Sequence, residues 1–143
     1  MAQPEQNFKN HGRFVPLFHF VTFGLILANL VRAVRTLMPV TSGSLYGLGL
    51  AIGLVLMCWF LRAFPLTVQD RVIRLEERLR LVELAPELAA QAGRIAPAQW
   101  TALRFASDGE FVGLVRRVLD GKLTAPADIK QAITHWRADH LRV

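Results

Sequence analysis

The chain has 143 residues, 52% of them hydrophobic and 20% charged, with 17 Lys and Arg against 11 Asp and Glu for a net charge of +6. A mean hydropathy of +0.32 is too apolar for a disordered segment or an ordinary soluble domain. The length holds one domain, or a small membrane anchor carrying one compact attachment. A single cysteine, Cys58, excludes an intramolecular disulfide framework and a Cys-based metal cluster.

Residues 1–13 form a short polar tail carrying Lys9 and Arg13. Residues 14–31, FVPLFHFVTFGLILANLV, then run for 18 positions without a formal charge. Residues 32–44 hold Arg32, Arg35, Pro39 and Gly43, the punctuation of a loop. Residues 36–61 are again uncharged, with residues 45–61 as their apolar heart. A helix needs about 20 apolar residues to cross a hydrocarbon core. Two transmembrane helices, 14–31 and 45–61, joined by an external loop, are therefore expected. A secretory signal followed by one span lacks a small-residue cleavage site before Arg32. Two buried core helices of a soluble protein are the other competing reading.

Seven Lys and Arg flank the membrane on one side (Lys9, Arg13, Arg62, Arg71, Arg74, Arg78 and Arg80) and two, Arg32 and Arg35, on the other. The positive-inside rule places both termini in the cytoplasm. The five arginines after the second span are expected to face anionic lipid headgroups.

Small residues recur four apart. Gly24 and Ala28 do so in the first span, and Gly47 with Ala51 and Gly49 with Gly53 in the second. Such faces let helix backbones approach closely. Packing within the hairpin is favoured over packing on a partner. His19 is an imidazole in the first span, where polar side chains are costly. A pigment or haem contact is weighed against bonding at the interface or to a neighbouring helix, and the latter is favoured. Cys58 is read as a small buried hydrophobe, and Asn29 as bonding near the outer boundary.

Pro65 is expected to kink the chain or begin a new helix as it leaves the membrane. Residues 62–85 then read as an amphipathic juxtamembrane helix. Val68, Val72, Leu75, Leu79 and Val82 follow a four-three spacing, and Asp70–Arg74 and Glu76–Arg80 are acid-first i,i+4 pairs. The apolar face is expected either on this chain's own C-terminal part or on a partner or the leaflet.

Residues 86–143 read as a small domain of short helices. A turn lies between Pro86 and Gly93, and Pro97 opens the next helix. Ser107 and Glu110 form a capping box before a stripe of Phe111, Leu114, Val115, Val118 and Leu119, stopped by Asp120-Gly121. A last helix capped by Thr124 carries Ile129, Ala132, Ile133, Trp136 and His140, with Arg137, His140 and Arg142 at its basic end. The fold class is all-α: a two-helix transmembrane hairpin followed by a helical cytoplasmic tail.

No phosphate loop, zinc-protease motif or nucleophile elbow is present. No enzyme, resident cofactor or metal is expected. From Arg62 onward 13 basic residues interleave with 10 acids, unlike a nucleic-acid stripe. The segments QNFKNHGRFVPLFHF, VQDRVIRLEERLRL, ALRFASDGE and IKQAITHWRADHLRV together resemble an uncharacterised family of short bacterial two-span membrane proteins. That resemblance implies a two-helix anchor with a cytoplasmic tail and carries no catalytic residues. The expected function is a non-catalytic accessory subunit of a larger bacterial inner-membrane complex, of respiratory or photosynthetic type. Its partners would be other integral membrane subunits. The alternative is a pigment- or haem-contacting protein built on His19.

Overall fold

A computed structural model describes residues 7, 8, 10, 12 and 15–139. Phe14, Lys9, Arg13, His140 and Arg142, used above for the first span, the charge count and the last helix, lie outside the described residues. The chain divides into two compact units, Arg13–Pro65 in one and Met1–Gly12 with Leu66–Val143 in the other. Every regular element among the described residues is helical, and one isolated bridge joins Ala106 to Trp136.

In the first unit a π-turn over Leu17–Thr22 leads into α1, Phe23–Arg35. The helix therefore runs four residues past the expected boundary at Val31. Thr36 closes it, its hydroxyl donating to the Arg32 carbonyl at 3.0 Å. Arg32 also donates to the Asn29 side chain at 3.1 Å, which gives that amide its partner near the helix end. The next helix, α2, spans Ser42–Leu84. Thr41 and Ser44 start it reciprocally: the Ser44 amide donates to Thr41 Oγ1 (3.1 Å) and the Thr41 amide to Ser44 Oγ (2.9 Å). This is a capping box with Ser in place of the usual acidic residue.

Pro65 neither breaks nor restarts α2, which is continuous across it. The ring removes one backbone donor and crowds the preceding turn, yet helix on both sides outweighs that local cost.

The windows of Leu17–Arg35 and Ser42–Leu84 are long and apolar enough to cross a membrane, and only 6% and 11% of them are buried. A soluble core helix of that composition would be mostly covered. Among the described residues of this unit, Ala33, Ala51 and Cys58 are the buried side chains, in keeping with the reading of Cys58 as a small hydrophobe.

The second unit has its own core. The C-terminal part of α2 supplies Leu81, and the chain then turns through a 3-10 helix at Pro86–Arg94. Three short helices follow: α3 at Pro97–Leu103, α4 at Asp108–Leu119 and α5 at Pro126–Gln131. Helix α3 packs against both α4 and α5. Trp100, Leu103, Phe105, Phe111, Val115 and Ile129 are the large side chains sealed between them. The expected α4 stripe is found, with Phe111, Leu114, Val115 and Val118 buried and Leu119 packed at its edge.

Helix α4 ends as Asp120-Gly121 foretold. Gly121 takes φ +75°, a conformation that favours glycine. Its amide donates to the Val118 carbonyl and the Lys122 amide to that of Arg117, closing a Schellman turn. The start of α5 differs from expectation: Ala125, not Thr124, is its N-cap. The Thr124 carbonyl is instead taken by the Gln99 side-chain amide at 3.0 Å.

The last helix is also shorter than its stripe suggested. It stops at Gln131, and residues 134–137, bent at Thr134 and His135 and bridged at Trp136, cross the turn before α4 as a strap. The Ser107 amide donates to the His135 carbonyl (3.1 Å) and the Arg137 amide to that of Phe105 (2.7 Å). Arg137 therefore does not cap a helix terminus. Trp136 packs on the Phe105 ring, centroids 5.0 Å apart.

An ionic cluster and a bare apolar face

The C-terminal half of α2 separates the two destinations left open for its apolar stripe. Val68, Val72, Leu75, Leu79 and Val82 are between 47% and 60% exposed. The side covered by the chain's own domain holds Glu77, Arg80 and Leu81, each under 9% exposed, and Ile73 on the same side is buried too. Docking of the apolar stripe on this chain's own tail is thus overturned. The core demanded a face able to reach the α4 N-terminus, and Arg80 does so.

Arg80 is correspondingly not a membrane-surface residue. Its Nη1 donates to Glu77 at 2.9 Å, Nε to Asp108 at 2.7 Å and Nη2 to the Ala106 carbonyl at 2.7 Å. Its guanidinium lies 4.3 Å from the centroid of the Phe111 ring. Four groups around one planar cation suit the fixed donor fork of arginine. The expected Glu76–Arg80 pairing is replaced by Glu77 at i,i+3. Among the described residues no ion pair joins Asp70 to Arg74. Burial pushes the Glu77 carboxyl above its ordinary range, and the Arg80 and Arg137 guanidiniums oppose that rise.

Around this centre lies an open cleft of about 730 Å³, lined by Glu76, Glu77, Leu79, Arg80, Glu83, Arg104, Asp108 and residues 137–139. Arg104 is buried and pairs with Asp139 at 2.9 Å. The lining holds carboxylates and guanidiniums and no Ser, Thr, Cys, His or Lys. Its visible chemistry is to tie α2, the turn before α4 and the segment after the strap into one unit.

A second cluster fastens the strap. Ser107 is the N-cap of α4 as expected, but its side chain makes no capping bond. The Glu110 carboxylate reaches residues 134 and 135 instead. It accepts from the Thr134 amide (3.0 Å), the His135 amide (2.9 Å) and the hydroxyl of Thr134, with His135 Nδ1 at 2.7 Å. Burial alone would raise this carboxyl; the bonds from Thr134 and His135 overcome that and hold it down to about 2.

In the other unit His19 is part-buried, with Nδ1 2.8 Å from the Val15 carbonyl and edge-on contacts to Phe18 and Phe23. Its ring is thus held by its own helix. Among the described residues no three His, Cys, Asp or Glu side chains cluster as metal ligands. Gly24, Ala28, Gly49 and Gly53 are exposed and Gly47 is half-buried. A Cβ placed on any of the four glycines would meet nothing within 4 Å. The expected close packing at these glycines within the chain is therefore not formed. Ala51 is fully buried. Arg71, Arg74 and Arg78 are exposed and Arg62 is half-buried.

Sequence periodicity missed Glu77 and Arg80 because it reads apolar residues as inward. The available signal was their register with Ile73 and Leu81, at offsets of four and one, on the side opposite the valines.

No curated protein and no solved structure matches this chain. The chain belongs to the family of unknown function DUF6526, which matches it over residues 1–143.

Proposed function

We propose that the protein is a non-catalytic accessory subunit of a larger membrane assembly. The two apolar windows anchor it, and the second unit presents helical faces to other membrane subunits on the cytoplasmic side. The observation that carries the reading is how little of either window is buried inside the protein. In water so much bare apolar surface would drive association, whereas in lipid it costs nothing. The arginines beyond the second window favour the cytoplasmic leaflet for that side. The ionic cleft supports a structural role, since its charges are arranged to hold elements of the chain together.

Fractionation tests this directly. The protein is expected to stay in membranes washed with alkaline carbonate and, after mild detergent extraction, to co-purify with a different membrane polypeptide in fixed ratio. Release by carbonate removes the anchor. Retention without any such companion removes the accessory role.

A further inference from the structure

The bare face of α2 carries a charge pattern that says what covers it. Val68, Val72, Leu75, Leu79 and Val82 form a seam of two heptads, with Val72 and Leu79 at the a positions and the others at d. The flanking g positions are Arg71 and Arg78, and the flanking e positions include Glu76 and Glu83. All four flanking residues are exposed, and none forms an ion pair with another described residue. In a parallel, in-register pair of helices a g residue faces the e residue five positions on in the partner. Arg71 would then meet Glu76 of a second copy, and Arg78 would meet Glu83, on both sides of the seam. An antiparallel pair would set Arg against Arg and Glu against Glu. An anionic leaflet would favour basic residues on both flanks, and here one flank is acidic.

We propose that this face is the interface with a second copy of the same chain, in a parallel two-stranded coiled coil over residues 68–82. Two heptads are too short to fold and pair from disordered chains. Here the helix is already built, as part of a 43-residue element whose opposite face is fixed in its own domain. Ordering is not charged against association. A specific interface must clear about 1,000 Å² over both copies, so a seam this short relies on its flanking charges as well as its apolar residues. The proposal goes beyond the accessory role above and is read on the chain itself, whatever else co-purifies.

The test uses the full chain in membranes, in a Cys58→Ser background. Val68→Cys and Val82→Cys lie at opposite ends of the seam, and Gln131→Cys is an exposed control on α5. Mild oxidation is expected to give a disulfide-linked dimer with Val68→Cys and with Val82→Cys separately, several-fold more than with the control. Arg71→Glu with Arg78→Glu should abolish the Val68→Cys dimer. Co-expression with a Val68→Cys chain carrying Glu76→Arg and Glu83→Arg should restore it. Cross-links only between a Val68→Cys and a Val82→Cys chain would mean antiparallel pairing. That result, equal cross-linking at Gln131→Cys, a product heavier than two copies, or no dimer at either end would overturn the proposal.

Discussion

Arg80 shows how much of this fold rests on one side chain. Three of its donors are satisfied, one by Glu77 on its own helix and two by Ala106 and Asp108 at the start of α4, and it is 8% exposed. Truncation would strand the Glu77 carboxylate, itself 4% exposed, without its main counter-charge. Breaking one partner of a buried pair costs about 3–5 kcal/mol. Arg80→Ala is therefore expected to lower unfolding stability by about that much, and adding Glu77→Gln should recover part of the loss. Denaturant unfolding followed by tryptophan fluorescence measures both. An Arg80→Ala protein as stable as the parent would show that the cluster holds nothing together. None of this was legible from hydrophobic spacing, because a paired ion inside a domain leaves the same trace in the sequence as a solvated one.

Among the elements, the strap depends on Glu110. The carboxyl sits at about 2 in the folded protein against an ordinary 4.5. Between those values the unfolded chain binds more protons, so stability falls as pH drops through that window and is complete above it. Glu110→Gln should cost about 2 kcal/mol at neutral pH, and the difference from the parent should close as pH approaches 2. A gap that persists unchanged into acid would place the effect elsewhere. The α4 stripe, the Pro97 start and the Asp120-Gly121 stop could all be read from the sequence because apolar period, proline and glycine act locally. The length of α5 could not. Ile133 and Trp136 keep helical spacing with Ile129, and it is the distant Glu110 carboxylate, with the backbone of Phe105 and Ser107, that holds residues 134–137 out of the helix.

At the scale of the whole molecule the two units differ in what covers their apolar side chains. The second encloses its own core of Leu81, Trp100, Phe105, Phe111 and Ile129. The apolar windows of α1 and α2 are largely bare. Residues 66–143 expressed alone are expected to remain in the membrane-free fraction and to melt cooperatively by far-UV circular dichroism. A featureless melt would show that the core needs the first unit. Both windows were plain in the sequence, since long uncharged runs need no tertiary information to be recognised. Which glycines would be covered was not, because a small residue marks where a backbone can come close and not whether one does.

The outward valines and leucines of α2 have a consequence for how this protein drifts over generations. Its domain would stay folded with polar side chains at those five places, so its own stability applies no selective pressure there. An apolar side chain is favoured at those positions only where something outside the single chain covers it.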